Sequence, residues 1–313
     1  MGVNVVSVSP ARFMRHRVLH MTHYDYTEPV SLCQNQARLT PRSFGRQTCL
    51  DCNLIITPEP TVRRSHRDFF GNIVSYLALF EPHTSLTVSA QSIVSLAPAA
   101  WPAPELTLPW ERARDLARRP DSPDSLQATQ FIYPSLFVPA LAETVEYARE
   151  SFAPKRPLLA ALMDLTSRIY RDFQFDSRAT TIHTPVREVL ERRRGVCQDF
   201  AHLELSCLRG LGLSARYVSG YLLTDPPPGQ ARLIGADASH AWISVFCPGF
   251  GWVDLDPTNN SLPDLRHITV AWGRDYSDVC PLQGVYTGGG QHTLRVEVDV
   301  SPVSDSMPVT VSS

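Results

Sequence analysis

One cysteine of the chain stands where a helix is expected to begin. Gly195 ends the preceding predicted helix, and an apolar stripe with helical spacing starts just after Cys197. A helix N-terminus stabilises a thiolate through its free backbone N–H groups and the positive end of the helix dipole, so Cys197 is the candidate nucleophile. Cys207 lies on the apolar stripe of the same helix and is expected to be inert. Asp199 and His202, also on this helix, are assigned structural roles.

Two β-rich segments further along the chain, residues 240–246 and 250–256, are predicted to form a hairpin. The residues between them are Cys, Pro and Gly, which suit a three-residue loop with the glycine in the left-handed conformation. This loop pairs the two phenylalanines that flank it, and the pairing sets the register of the hairpin. In that register His240 lies directly opposite Asp256, with both side chains on one face.

A carboxylate beside an imidazole fixes the ring tautomer and stabilises the imidazolium that forms when the ring takes a proton. Cys197, His240 and Asp256 therefore supply a nucleophile, a base and a residue that orients the base. Asp254 has the same strand parity as Asp256 and is the alternative orienting residue, although it is displaced by roughly 7 Å along the strand.

Three more residues are predicted to contact a substrate. In the expected register Trp242 and Trp252 share the face of His240, with Trp252 opposite Ser244, and their indoles could form a wall of the cleft. Asp237 comes three residues before His240 and is a candidate anchor for the loop that leads into the strand.

Two pairs of residues share the spacing of half a zinc site. His20 and His23 are three residues apart, as are Cys49 and Cys52. The two histidines would point to opposite faces of a strand predicted over residues 18–26, and no glycine separates the two cysteines. We therefore expect no bound metal and no cofactor.

Length and composition limit the class of protein. A chain of 313 residues suggests two domains, and 43% hydrophobic against 19% charged residues indicates packed globular cores. Lys and Arg number 29 and Asp and Glu 31, a net charge of −2, which lacks the positive surface of a nucleic-acid or anionic-membrane binder. The lack of a long apolar run or a signal segment in the sequence favours a cytoplasmic location. Seven scattered cysteines favour free thiols.

The pattern of the whole chain predicts an α+β fold. The expected parts are a loose leader over residues 1–16, an antiparallel β domain over 17–97, a proline-rich linker with the first helices over 98–139, a catalytic core over 140–290 and a C-terminal strand and tail over 291–313. Helices of the core are predicted over 140–150, 158–173 and 185–194, followed by the helix that Cys197 opens and by an antiparallel sheet.

Four ordered blocks of the core carry a family resemblance. They read RGVCQDFAH at 194–202, ARYVSGY at 215–221, SHAW at 239–242 and GWVDLDPT at 251–258. These blocks resemble the bacterial transglutaminase-like cysteine enzymes, among them proposed cysteine proteases, and several blocks in order are more specific than any single motif. The N-terminal third is similar to the β domain that precedes this core in many bacterial members, through Tyr24, Tyr26, Leu39, Pro41 and the run DFFGN at 68–72.

The resemblance implies a papain-like α+β core in which the thiolate of Cys197 attacks an amide carbonyl, His240 acts as base and then as acid, and Asp256 orients His240. The expected reaction is hydrolysis of peptide or isopeptide bonds in a peptide or protein substrate, through a thioester intermediate. A cross-linking transglutaminase, in which an amine replaces water, and a non-catalytic binding protein on the same fold remain alternatives. Neither the oligomeric state nor an oxyanion donor beyond the Cys197 backbone N–H is predicted.

Overall fold

The structure, a computed structural model, describes residues 13–119, 121–225 and 239–303. The strands of these ranges are β1 (Met14–Ala37), β2 (Gln47–Thr57), β3 (Val62–Arg67), β4 (Ile73–Leu79), β5 (His83–Leu96), β6 (Gln174–Phe175), β7 (Arg194–Gly195), β8 (Ala215–Leu222), β9 (Ser239–Cys247), β10 (Gly251–Leu255), β11 (His267–Gly273), β12 (Leu282–Gly288) and β13 (His292–Val303). The helices are α1 (Trp110–Ala117), α2 (Pro123–Thr129), α3 (Ala142–Arg149), α4 (Leu158–Asp172), α5 (Val186–Arg192), α6 (Cys197–Gly210) and α7 (Tyr276–Val279). None of the helices in these ranges is both long and apolar enough to cross a membrane.

A seven-stranded antiparallel sheet is built mainly from the N-terminal part of the chain. Its strand order is β2-β5-β1-β4-β3, and the last two strands, β12 and β13, also pair with the long β1. β1 begins at Met14, inside the predicted leader, and its buried residues alternate along the strand, as at Val18 and His20. Residues 282–288, expected in the catalytic core, belong instead to this sheet, so both ends of the described chain meet in it.

A four-stranded antiparallel sheet, ordered β10-β9-β8-β11, carries the candidate histidine and aspartate. Helix α6 packs against β8 and β9 and also contacts α3, α4 and α5. Nearly every side chain of α6 beyond its first turn is buried, because a helix surrounded by other elements has no solvent-facing side. A central helix packed on an antiparallel sheet confirms the predicted α+β core.

Helix α5 ends differently from the prediction. It stops at Arg192, and Arg193 takes a left-handed φ of 54° that closes the last turn. Gly195, expected to end this helix, has another role: a Cβ at its position would lie 2.7 Å from the Oδ2 atom of Asp199. The glycine is therefore required for the close approach of that carboxylate to the chain.

The two sheets share a hydrophobic core and a polar seam. Apolar residues of β1, β5 and β13 pack in the same cluster as those of α4 and α6. At the edge strand β11, the side-chain amides of Gln47 and Asn72 each form two hydrogen bonds with the backbone, at Thr269 and Trp272 respectively. Each amide pairs with β11 as a neighbouring strand would, which satisfies polar groups that the seam buries.

Candidate active site

Cys197 is the first residue of α6, and its side chain is half-buried. The carboxylate of Asp199 accepts hydrogen bonds from the Val196 backbone N–H at 2.8 Å and from the Thr180 hydroxyl at 2.6 Å. These bonds hold the chain just before the helix, which keeps the thiol beside the free N–H groups of the first turn. Asp199 therefore fixes the chain at the start of α6, which agrees with the structural role predicted for it.

Two other polar groups of α6 are packed inside the protein. The Cys207 thiol is fully buried, and burial raises its pKa, which keeps the thiol protonated. The His202 ring stacks on Phe137 and accepts a hydrogen bond from the Tyr276 backbone N–H at 3.2 Å. Burial lowers the pKa of His202 to about 4, so its ring is neutral near pH 7.

The hairpin of β9 and β10 has a different register from the predicted one. Its three-residue loop is 248–250, one residue later than expected, and the strands pair from Gly251 onward. Gly249 and Gly251 have left-handed φ values of 90° and 83°, so the second strand resumes only at the later glycine. The predicted direct pairing of His240 with Asp256 is therefore wrong by two residues.

A shift of two residues keeps every side chain on its original face, so His240 and Asp256 still meet. The pairing of β10 ends at Leu255, and the Nε2–H of His240 donates a hydrogen bond to Oδ2 of Asp256 at 2.7 Å. Asp254, the alternative orienting residue, lies opposite Ser244, about 13 Å further along β9 than His240. Asp256 is the residue that contacts the imidazole.

The ring of His240 connects the thiol to the carboxylate. Burial alone would lower the pKa of His240, but hydrogen bonds with Asp256 and with the Cys197 thiol outweigh burial and raise the pKa to about 10. Because Nε2 is bonded to the carboxylate, Nδ1 is the ring atom that can exchange a proton with the thiol. The arrangement suits transfer of the thiol proton to the imidazole, which leaves a nucleophilic thiolate.

Asp256 is fully buried and accepts five hydrogen bonds. Its Oδ1 atom accepts from the backbone N–H groups of Thr258 and Asn259, at 2.9 and 3.2 Å. Its Oδ2 atom accepts from His240, from the side-chain amide of Asn259 at 2.7 Å and from the Nε2–H of His267 at 3.0 Å. Desolvation raises the pKa of this carboxyl, but these donors overcome it and hold the pKa well below its ordinary range.

Two residues whose side chains donate to Asp256, Asn259 and His267, are not predicted from the sequence. Asn259 had a usable signal, because an Asp before Pro257 favours an Asx turn in which its carboxylate accepts nearby backbone N–H groups. His267 has no local signal, since it opens β11 on the far side of the sheet and only the tertiary fold brings its ring to Asp256. Burial lowers the pKa of His267, so the neutral ring donates from Nε2.

His240, Asp256 and His267 are the one group in the described ranges that brings three possible metal-ligand atoms within 4.8 Å of one another. Both rings already use Nε2–H as a donor to the buried carboxylate, so hydrogen bonding accounts for the cluster. The histidines of the zinc alternative do not converge, because His20 is buried on one face of β1 and His23 lies on the other.

Neither of the two tryptophans that are predicted to contact a substrate lies exposed beside the His240 ring. Trp242 is fully buried next to the His240 ring, because apolar side chains cover this face of the sheet. Trp252 pairs with Phe246, six residues or about 20 Å along β9 from His240, because the hairpin register is shifted. Asp237 lies outside the residues that the structure describes.

The sequence of the chain is similar to known protein families and to individual proteins. The model of the bacterial transglutaminase-like N-terminal region matches residues 16–95, and that of the transglutaminase-like superfamily matches residues 145–257. An uncharacterized protein of Mycobacterium tuberculosis is 49% identical over 300 residues, which cover 92% of this chain and 93% of the relative. A segment of 124 residues, 37% of this chain, is 28% identical to a Pseudomonas aeruginosa protein-glutamine gamma-glutamyltransferase, of which it covers 18%.

The fold is also similar to a crystal structure. That crystal structure is of a proposed cysteine protease from Cytophaga hutchinsonii. The TM-score between the two structures is 0.72 at 20% sequence identity, over 95% of this chain and 93% of the other. The superfamily match contains Cys197, His240 and Asp256, in the order of the resembling blocks. The chain therefore belongs to the transglutaminase-like superfamily of cysteine-dependent enzymes, and its core is preceded by the bacterial N-terminal region of that family.

Proposed function

We propose that the protein is an acyl-transfer enzyme that hydrolyses peptide or isopeptide amide bonds through a thioester on Cys197. The observation that carries this proposal is the chain of contacts from the half-buried thiol, through the His240 ring, to a buried and ionised carboxylate. A nucleophile, a base and a fixed orienting group are the minimum that acyl transfer requires.

The acylation step uses each group once. The proton of the Cys197 thiol passes to His240, and the thiolate attacks the carbonyl carbon of the amide. The imidazolium, stabilised by Asp256, then gives its proton to the leaving nitrogen as the C–N bond breaks and the thioester forms. The Cys197 backbone N–H at the helix start is the available donor for the oxyanion.

The deacylation step needs a water molecule that attacks the thioester. His240 takes a proton from this water and returns it to the cysteine sulfur as the free acid leaves. An amine competes with water only where a site binds the amine and excludes water, commonly behind apolar walls. The two tryptophans best suited by sequence to build such a wall are buried or distant from His240, which supports water as the acceptor.

Transamidation is the second candidate function, in which a primary amine attacks the same thioester. The 28% identity to a protein-glutamine gamma-glutamyltransferase favours it, although that match covers 37% of this chain. The two reactions share every step up to the thioester, so the acceptor alone distinguishes them.

The test is a product analysis of the purified full chain. A library of glutamine-containing peptides and isopeptide-linked peptides is incubated with and without a biotinylated primary amine, and the products are identified by mass. Added amine is required because Lys155 is the only lysine of the chain, which makes self-cross-linking uninformative. We expect free acids to predominate at millimolar amine; predominant amine incorporation would overturn hydrolysis in favour of transamidation.

Two cysteine variants control this experiment. Cys197→Ala should form neither product, whereas Cys207→Ala removes a buried thiol from the same helix and should keep the product pattern of the unmodified protein. Products that persist in Cys197→Ala would show that another group is the nucleophile.

A further inference from the structure

The thiols of Cys49 and Cys52 form a pair that the proposed reaction does not use. Both stand on β2, which lies at one end of the order of the N-terminal sheet, and both are half-buried free thiols. In an unbroken strand, residues three apart point to opposite faces. Such a strand would hold the two sulfur atoms apart.

A β-bulge at Leu50 brings the two side chains to the same face. Cys49 pairs with Val94 of β5, but Asp51 pairs with Ile93, so Leu50 is the extra residue. Cys52 then pairs with Ser92, two residues from the partner of Cys49, and residues two apart on a strand share a face. Because of the bulge, Cys49 and Cys52, which are three residues apart in sequence, lie on the same face of the strand as residues two apart normally do.

The two thiols interact directly and unequally. Each thiol shifts the pKa of the other, in opposite directions. The Cys49 thiol donates to the Asp51 backbone carbonyl at 3.4 Å, and the Cys52 thiol donates to the Thr40 hydroxyl at 3.7 Å. The neighbouring Cys49 thiol is the largest influence on Cys52 and lowers its pKa to about 7, with smaller contributions from the Thr40 hydroxyl and the Arg63 charge. The same contact and burial raise the pKa of Cys49. Cys52 is therefore the thiolate of the pair, and Cys49 holds the proton.

We propose that Cys49 and Cys52 are a dithiol site that forms a reversible intramolecular disulfide by exchange with a low-molecular-weight disulfide. The Cys52 thiolate attacks one sulfur of the small disulfide, which forms a mixed disulfide and releases one small thiolate. Cys49 then loses its proton to solvent and attacks the Cys52 sulfur, which releases the second small thiolate. Two protein thiols are oxidised and one small disulfide is reduced to two thiols.

The surroundings of the remaining cysteines set this pair apart. Cys33, Cys207 and Cys247 are buried, which limits access of a small disulfide. Cys280 is half-buried and donates to the Tyr276 hydroxyl at 3.4 Å, so it is a suitable comparison thiol. Cys197 is half-buried and is the proposed nucleophile, so it must be removed from the assay.

The experiment uses the full chain carrying Cys197→Ala, reduced and then transferred to thiol-free buffer. The protein is incubated at pH 7 with mixtures of glutathione disulfide and glutathione, quenched with acid, alkylated and analysed by intact mass and peptide mapping. We expect a loss of two hydrogens located in the peptide that holds Cys49 and Cys52, reversed by added reductant. A stable glutathione adduct on either cysteine, or oxidation of the pair no faster than modification of Cys280, would overturn the proposal.

Single variants in the same background test the order of attack. Cys49→Ser should accumulate a glutathione adduct on Cys52, because no resolving thiol remains. Cys52→Ser should react about threefold more slowly, because the Thr40 hydroxyl and the Arg63 charge favour a thiolate at Cys52 and do not act on Cys49. Equal rates in the two variants would contradict Cys52 as the attacking group. The result for the paired thiols does not depend on whether either serine variant folds.

Discussion

Two carboxyl groups of the catalytic core, those of Asp256 and Glu204, are equally inaccessible to solvent but differ in the number of hydrogen bonds that they accept. Both residues are 0% exposed. Asp256 accepts five hydrogen bonds at the turn after β10. Glu204, in the middle of α6, accepts one at 2.7 Å from the Thr166 hydroxyl, and its Oε2 atom has no hydrogen-bond partner among the described residues.

This difference in donors leaves Asp256 ionised and Glu204 neutral near pH 7. Desolvation raises the pKa of both, yet the donors around Asp256 bring its pKa below the ordinary range. Desolvation dominates at Glu204 and, with a smaller contribution from the nearby charge of Asp256, raises the pKa to about 8. Burial alone therefore does not decide whether a carboxyl is ionised; the number of donors that burial brings with it decides.

The largest effect is expected from removing the ionised carboxylate. Asp256→Asn should lower turnover by about 10³ to 10⁴-fold, because the amide cannot stabilise the imidazolium of His240 and favours the wrong ring tautomer. Turnover and the pH profile of Cys197 alkylation measure the loss. Asp254→Asn, on the same strand opposite Ser244, is the control and should stay close to the unmodified protein. A larger loss in the control would mean that Asp254 orients the ring.

The next effect concerns stability and the neutral carboxyl. Between the ordinary Glu pKa of 4.5 and the folded value of about 8, folded Glu204 keeps a proton that the unfolded chain releases. The free energy of unfolding should therefore fall as pH rises through this interval, by on the order of 4 kcal/mol from this residue. Glu204→Gln does not titrate and should remove this contribution to the fall, which makes the variant more stable than the unmodified protein near pH 8.

Denaturant unfolding from pH 4.5 to 8.5 measures this difference. Glu191→Gln, which changes an exposed carboxylate at the end of α5, should follow the unmodified protein throughout. Parallel curves for Glu204→Gln and the unmodified protein would show that Glu204 is ionised at neutral pH like Asp256.

A smaller effect should follow from removing one buried donor of Asp256. His267→Phe deletes the Nε2–H bond at 3.0 Å and should lower turnover about tenfold, the cost of one hydrogen bond to a charged group. His267→Gln can donate from its amide nitrogen and should recover part of this loss. The pH profile of Cys197 alkylation should move with His267→Phe, since a less fixed carboxylate stabilises the imidazolium less well. An unchanged pH profile of Cys197 alkylation would mean that His267 contributes to packing only.

The smallest effect is expected at the exposed donor. Asn259→Ala removes a side-chain amide that donates to Asp256 at 2.7 Å, but water can reach this position and replace the N–H group. Turnover should fall about threefold, within the net worth of an ordinary hydrogen bond. A loss as large as that of His267→Phe would mean that the amide also orients the His240 ring.

The sequence by itself determined the features that depend on neighbours along the chain. The start of α6 at Cys197 was predicted from the apolar stripe after the thiol, and the structure has the helix begin there, although Gly195 does not end the helix before it. The meeting of His240 with Asp256 survived a register error because a shift of two residues preserves the faces of a strand. The C-terminal strand predicted within residues 291–313 is also present, as β13.

The tertiary structure decided the features for which one local pattern fits several partners. Alternation shows that β13 is a strand but carries no information on its neighbour, and the fold pairs it with β1 at the other end of the chain. The bulge at Leu50, the place of His267 at Asp256 and the protonation of Glu204 all depend on groups far away in sequence. Hydrogen-bond donors and desolvation act through space, so the charge of a buried carboxyl is set only when distant segments have packed around it.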